Sequence, residues 1–223
     1  MTVLTKEACR EIIARRVAKE LKSGDVITLG IGLPTEVAYY IPTDIEVFLQ
    51  SENGMIGGGA RDFNAFENAR ITNAGGLPVT TREGAVFFDT AMSFTIIRGG
   101  HVDVTVLGAL QVDSHGNLAN WMIPGAFVPG MGGAMDLTVG AKKVIIAMEH
   151  TTSKGEARIV KDCNIPLTAE HEVDMIITER AVIEVAPQGL ILKEINKAFT
   201  LEEVISSTEA ELIVAPADIK YFG

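Results

Sequence analysis

Apolar positions near the start of the chain repeat at helical spacing. Ile12, Ile13, Val17 and Leu21 fall on one face, and charged residues fill the gaps. The spacing predicts a helix over residues 5–21, with Thr5 as its cap, Glu7 at its positive end and Gly24 as its stop. The run Val26–Leu29 reads as a strand that enters the turn Gly30-Ile31-Gly32-Leu33-Pro34. Pro34 and residues 36–40 suggest a second helix. Residues 45–49 are strand-like again and lead into Gln50-Ser51-Glu52-Asn53-Gly54, after which Gly57-Gly58-Gly59 reads as a flexible loop. Helix, strand, glycine turn, helix and strand is an α/β rhythm.

Further along, a helix from about Asp89 ends at Arg98-Gly99-Gly100, and residues 102–107 form a strand. Residues 113–117 look like a tight turn before the run 118–122. Residues 124–140 hold Gly125, Gly130, Gly132 and Gly133 and follow no single period, which predicts a long loop. Its apolar members Phe127, Val128, Met131 and Met135 argue against disorder. Strands are expected at 142–148, 173–178, 182–185, 190–192 and 211–214, with a short helix Leu201–Ser206 capped by Thr200. With no repeat, low-complexity tract or linker, one α/β domain over residues 1–223 is the simplest organisation.

Composition narrows the function. The chain has 223 residues, 47% of them hydrophobic and 22% charged, which suits a soluble globular protein with a sizeable core. No apolar run reaches the roughly 18 residues of a membrane helix, and the first residues lack a basic stretch before an apolar one. A cytoplasmic protein with no membrane partner is expected. The net charge of −10 disfavours nucleic acid as a partner. An anionic ligand would need a local cation or a helix N-terminus. Arg98, Lys142, Lys143 and Lys154 are the candidates, with solvated surface positions as the plainer reading. The two cysteines, Cys9 and Cys163, lie far apart and read as reduced, partly buried thiols.

Glu52 is the most informative candidate for chemistry. An apolar strand anchors the turn that carries it, small residues follow, and open α/β sheets bind ligands at the carboxyl ends of strands. A carboxylate there can serve as nucleophile, base or metal ligand. Gly30-x-Gly32 is a weak phosphate signal, because the third glycine of the dinucleotide motif is missing and Pro34 removes a donor. The four histidines show no metal spacing, so no metal is expected; His115 and His171 read as exposed, and only His150, at a strand end, invites attention. No GxSxG elbow is present.

Taken together, several short segments resemble the β-type chain of family I coenzyme A transferases, of the 3-oxoacid and acetate- or butyrate-acetoacetate type. They are Leu29-Gly30-Ile31-Gly32-Leu33-Pro34-Thr35, Gln50-Ser51-Glu52-Asn53-Gly54 and Asn73-Ala74-Gly75, then Ile97-Arg98-Gly99-Gly100-His101-Val102-Asp103 and Leu118-Ala119-Asn120-Trp121-Met122-Ile123-Pro124-Gly125, then Gly130-Met131-Gly132-Gly133-Ala134-Met135-Asp136-Leu137 and Ala147-Met148-Glu149-His150-Thr151. In this order they cover essentially the whole chain.

The resemblance implies an open-sheet α/β fold with helices on both faces. It implies transfer of CoA between an acyl-CoA and a short-chain acid, with Glu52 as nucleophile, through an acyl-glutamyl anhydride and a glutamyl-CoA thioester. It implies an oxyanion donor in the backbone N–H of Gly133, with Gly132 as second choice. Substrate and CoA contacts are expected from Gly30, Gly32, Ser51, Asn53, Gly54, Asn73, Gly75, Met131 and Lys142. CoA and acyl-CoA would be substrates, with no permanently bound cofactor. A homologous α subunit would be the partner, in an α2β2 assembly, and the chain alone would be inactive. Acetoacetate with acetate or butyrate is the preferred acid pair and a succinyl-CoA:3-oxoacid enzyme the alternative; residues 60–68 could shape that choice. A non-catalytic CoA-binding subunit, or an isomerase or sugar-phosphate sensor, are the competing classes.

Overall fold

The computed structural model describes residues 4–61, 70–126, 128 and 130–223, with the side chain of Arg61 excepted. Helix α1 (Lys6–Ala18) starts where the Thr5 hydroxyl accepts the Ala8 N–H, as the sequence predicts. Strand β1 (Val26–Leu29) follows, and then a 3-10 helix, Leu33–Tyr39, with Pro34 in its first turn. Strands β2 (Phe48–Ser51), β3 (Met55–Arg61) and β4 (Val79–Phe87) form an antiparallel meander. Helix α2 (Thr90–Arg98), capped by Asp89, leads to β5 (Val104–Leu107).

The strands β6 (Gln111–Asp113), β7 (Leu118–Ala119) and β9 (Ile159–Val160) make a small second sheet. Between them lie helix α3 (Ala134–Gly140) and β8 (Val144–Ala147). Then come β10 (Met175–Ile177), β11 (Ala181–Ala186), β12 (Gly189–Asn196), helix α4 (Leu201–Ser206), β13 (Leu212–Ile213) and β14 (Lys220–Phe222).

The large sheet runs β13-β12-β11-β10-β8-β5-β1-β2-β3-β4, with β14 beside β12. Its middle, from β10 through β8, β5 and β1 to β2, is parallel; on either side of it the next pairings, β10 with β11 and β2 with β3, are antiparallel. Side chains alternate across the parallel strands and divide the core in two. Val144 and Ile146 of β8 join Ile97 of α2, Leu137 of α3 and Val204 of α4. Ile145 and Ala147 join Ile13 and Val17 of α1 and Leu33 and Val37 of the 3-10 helix. The sheet is therefore covered on both faces, which the near-continuous apolar runs of its parallel strands require. Arg16 ties α1 to this frame: buried, it holds Glu194 of β12 at 2.7 Å and Glu20 at 2.8 Å, and Glu20 in turn holds Lys143 at 2.7 Å.

Three expectations need correction. The glycine cluster Gly57-Gly58-Gly59 is part of β3 and not a loop. A Cβ on Gly57 would lie 2.9 Å from Ala85 Cα, and one on Gly59 would meet the Thr80 hydroxyl, so glycine here serves close strand packing. The second strand occupies Phe48–Ser51, a few positions later than 45–49. Residues 124–140 are not one long loop, because their end folds as α3. The strand β4 and the small sheet are features that the sequence pattern does not announce. Residues 62–69, most of the segment expected to influence acid choice, lie outside the described residues.

Candidate active site

Strand β2 ends at Ser51, and a tight turn carries Glu52; Gly54 N–H closes it on Ser51 O at 2.9 Å. Gly54 has φ 120°, and a Cβ there would run into Phe88 O, so only glycine fits. Asn53 Nδ2 donates to Thr72 O at 2.8 Å, and Ser51 Oγ accepts from Ala74 N–H at 3.0 Å. Both contacts pin the turn to the segment 72–77. On the other side, buried Gln50 donates through Nε2 to Ser93 Oγ of α2 at 2.7 Å, and Ser93 Oγ reaches Ser51 O at 3.4 Å. The strand end is thus held from both faces before Glu52 begins.

The Glu52 carboxylate points toward the N-terminus of α3. A Cβ on Gly133 would lie 2.6 Å from Glu52 Oε2 and 3.0 Å from Phe94 Cζ, so the Gly133 backbone sits directly against the acid and the Phe94 ring beside it. Burial raises the Glu52 pKa above the ordinary carboxylate value. The Gly133 amide, donating to the carboxylate, opposes that shift, and the Asp136 charge adds to it. Asp136 is in turn paired with the exposed Arg98 at 2.7 Å, and the Arg98 guanidinium lies 5.5 Å from the Phe94 ring centre. An anion with few stabilising donors is a better nucleophile than a fully solvated one.

A cavity of about 640 Å³ lies beside the same strand end. Ile31, Gly32, Tyr39, Ser51, Asn73 and Gly75 are among its walls. Leu49 joins the α1 side of the core, while Gln50 reaches α2, so the two faces of β2 serve different purposes. Ser51 borders the cavity and Glu52 the α2–α3 side; the turn is the rim between them.

The expected site residues divide on this geometry. Gly32, Ser51, Asn73 and Gly75 line the cavity, and Gly133 touches Glu52. Asn73 Oδ1 accepts the N–H groups of Gly75 and Leu77, each at 3.0 Å, which shapes that wall. Gly132, with φ 57°, and Met131 precede Gly133 in the same turn. Gly30 packs against the neighbouring strand, where a Cβ would be 3.0 Å from Leu107 Cδ2, and Asn53 and Gly54 build the turn. Lys142 stands just ahead of β8, at the amino ends of the parallel strands, and pairs with Asp103 at 2.8 Å. The structure does not bring it to Glu52.

Of the other cations considered, Arg98 and Lys143 hold carboxylates of their own chain. Sequence reasoning passed over Phe94 and Ser93, which only the packing of α2 against the turn reveals. His150 is fully buried between the hydroxyls of Thr178 and Thr208, each at 2.9 Å, and burial with the Arg180 charge pushes its pKa down to about 3. It is a neutral strut. Both cysteines are free, and burial pushes Cys9 up to about 11 and Cys163 up to about 12, so neither is a ready thiolate. Among the described residues no cluster of three or more metal-type ligands occurs, and no helix is long and apolar enough to cross a membrane.

Residues 10–207 match the model of the coenzyme A transferase family. The chain is 53% identical over 207 residues to the beta chain of the acetate CoA-transferase of Haemophilus influenzae, covering 92% of each. It is 46% identical over 205 residues to the B chain of the succinyl-CoA:3-ketoacid coenzyme A transferase of Helicobacter pylori 26695, covering 92% of this chain and 99% of that protein. Among solved structures, the acyl-CoA transferase YdiF apoenzyme of Escherichia coli O157:H7 has the same fold, with a TM-score of 0.77 at 24% identity; it is matched over 100% of this chain but only 45% of its own. The chain belongs to the coenzyme A transferase family.

Proposed function

We propose that this chain is the glutamate-bearing β subunit of a CoA-transferase that moves CoA between an acyl-CoA and a short-chain carboxylic acid. The contact between Glu52 and the Gly133 backbone carries the reading. A Glu52 carboxylate oxygen attacks the thioester carbonyl, the C–S bond breaks, and CoA leaves as thiolate from an acyl-glutamyl anhydride. The thiolate then attacks the glutamyl carbonyl, the original acid leaves as carboxylate, and glutamyl-CoA remains. The acceptor acid reverses both steps. The anhydride conserves the thioester's energy, so no nucleotide is needed.

The two tetrahedral intermediates place charge on different atoms. In the first, the oxyanion is on the substrate's acyl oxygen. In the second, it is on an oxygen of Glu52 itself, against which the Gly133 backbone lies. Gly133 therefore serves the glutamyl step. Donors for the acyl step come from the partner, since relatives whose names mark them as the beta or B chain of an enzyme imply a second chain. The cavity walled by Gly32, Ser51, Asn73 and Gly75 has room for the CoA arm, with the thioester turning over the rim to Glu52. Acetate-type acids are preferred over succinate, in line with 53% identity to the acetate enzyme against 46% to the succinyl enzyme.

The raised Glu52 pKa has a kinetic signature. Only the anion attacks, so the rate of CoA release in the first half-reaction falls as pH drops through that pKa. The acid limb is expected with a midpoint above the ordinary glutamate value of about 4.3. Stopped-flow detection of released thiol measures it, and a limb at or below that value means Glu52 is not desolvated in the working enzyme.

Trapping tests the function itself. The complex with its α subunit is mixed with acetoacetyl-CoA without acceptor, reduced with borohydride and mapped by mass spectrometry. Reduction of a glutamyl thioester to the alcohol at Glu52 is the expected result. A complex that binds CoA yet leaves Glu52 unmodified supports the non-catalytic reading instead.

A further inference from the structure

The layer between the large sheet and helices α2 and α3 is apolar at Val144, Ile146, Ile97 and Leu137, but one row of it is not. Gln50 of β2, Thr28 of β1 and Thr105 of β5 stand side by side in register, and all three are buried. Thr28 and Thr105 satisfy each other through a hydroxyl–hydroxyl bond of 2.7 Å. Gln50 depends on another element: its Nε2 donates to Ser93 Oγ of α2 at 2.7 Å, and Ser93 is fully buried. Gln50 Oε1 is also buried, and among the described residues no donor reaches it. An amide with one end unpaired is a poor way to stabilise a core, where an apolar side chain of the same shape would cost less. Gln50 is better explained by what it fixes than by stability it adds.

We propose that the buried Gln50–Ser93 bond aims Glu52 for attack, with Gln50 and Ser93 acting as positioning residues through the turn. This rests on the reading of Glu52 as nucleophile and adds to it what sets the direction of the attack.

The chemistry asks for such a device. In the proposed reaction the Glu52 carboxyl passes from anion to anhydride to thioester and back. It attacks or is attacked at every step, so no permanent bond to the carboxyl group can aim it. The aim must come from the backbone, and an error of about 1 Å there can cost on the order of 10²-fold in rate. Apolar packing resists separation but has no direction, whereas a hydrogen bond fixes one. Ser51 alone stands between Gln50 and Glu52, and its carbonyl oxygen is 3.4 Å from the same Ser93 hydroxyl. The choice of α2 as anchor follows from its other contacts. The Phe94 ring stands beside Gly133, Arg98 pairs with Asp136 of α3 at 2.7 Å, and α2 packs along α3. A tether from β2 to α2 therefore fixes Glu52 relative to Gly133 and not only relative to the sheet.

The test uses the enzyme assembled with its α subunit. Ser93→Ala, Gln50→Met, the two combined, and the remote core deletion Val204→Ala are compared with the parent. The single-turnover rate of CoA release from acetoacetyl-CoA, the half-saturating acetoacetyl-CoA concentration and the melting temperature are measured for each. Ser93→Ala strips Gln50 of its acceptor, so it is expected to melt earlier and to release CoA about 10–100-fold more slowly, with half-saturation moved less than about threefold. The combined variant replaces both partners by apolar groups and is expected to regain the parent's melting temperature while keeping the slow rate. Val204→Ala is expected to melt earlier with its rate close to the parent's. Gln50→Met alone gives the same reading if Ser93→Ala does not assemble.

A rate that returns with the melting temperature in the combined variant overturns the proposal, because the bond is then merely structural. So does a parent-like rate in Ser93→Ala, or a loss confined to half-saturation. Borohydride trapping on the same samples separates this from the reading beneath it. Glu52 modified equally fast in parent and variants removes the tether and leaves the nucleophile standing. An active parent enzyme in which Glu52 is never modified removes the nucleophile itself.

Discussion

Glu52→Gln, placed in the assembled enzyme, is expected to lower CoA transfer by about 10⁴-fold or more and to make the protein slightly more heat-stable. The loss follows from chemistry: the amide has no anionic oxygen to attack a thioester. The gain follows from linkage. Burial raises the Glu52 pKa, so the folded state holds a proton there more tightly than the unfolded chain does. The stability this contributes is present at low pH and is lost as pH rises through the folded value. At neutral pH the ionised Glu52 is therefore a net cost, and a neutral side chain of the same shape removes it. The glutamine oxygen can still accept the Gly133 N–H. Melting curves of both proteins near pH 7 and at acid pH check the sign, and the difference should shrink as Glu52 becomes protonated. Transfer within tenfold of the parent enzyme would sink the nucleophile assignment. A lower melting temperature at neutral pH would instead show that the carboxylate is held by more donors than Gly133.

Gly133→Ala is expected to cost about 10²–10³-fold in turnover with CoA binding retained. The backbone at Gly133, φ −85° and ψ 5°, admits any L-residue, so the penalty is not conformational. It is a collision. The new methyl group would lie 2.6 Å from Glu52 Oε2 and 2.9 Å from Cδ, so either the carboxylate swings away or the amide retreats. Both separate the Gly133 amide from the oxygen that carries the oxyanion in the proposed mechanism. Gly132→Ala is the control that separates the two candidate glycines. A Cβ there meets nothing within 4 Å but would have to adopt φ 57°. It should act through local backbone strain, with a smaller effect on turnover. Single-turnover rates of glutamyl-CoA formation for the pair decide the matter. Equal losses would return the donor's identity to the whole turn rather than to Gly133.

Local signals were readable because their physics is local. Thr5 and Thr200 cap the helices they were expected to start, the helix expected from about residue 89 begins there, and Val26–Leu29 and the apolar run before Glu149 become central strands because nothing but a covered parallel sheet suits them. Glu52 could be singled out for the same reason, since a carboxylate in a glycine-bounded turn after an apolar strand is visible in one short stretch. The glycine cluster of β3 misled, because a glycine's meaning depends on what stands opposite it. Thr80 and Ala85, which crowd Gly59 and Gly57, lie across a strand pairing that no short window of sequence contains.

The chain's own order of residues determined its helix caps, its buried strands and the position of the carboxylate proposed as nucleophile. Tertiary structure alone decided which backbone meets that carboxylate. α3 is too short and too poor in period to announce itself, yet folding β5 and β8 side by side brings its first turn, with Gly133, to the end of β2. The same packing places Ser93 under the turn and sends Lys142 to the opposite end of the sheet. Burial of Glu52, and with it the raised pKa, is a property of those contacts and not of the glutamate, because desolvation is set by neighbours distant in sequence.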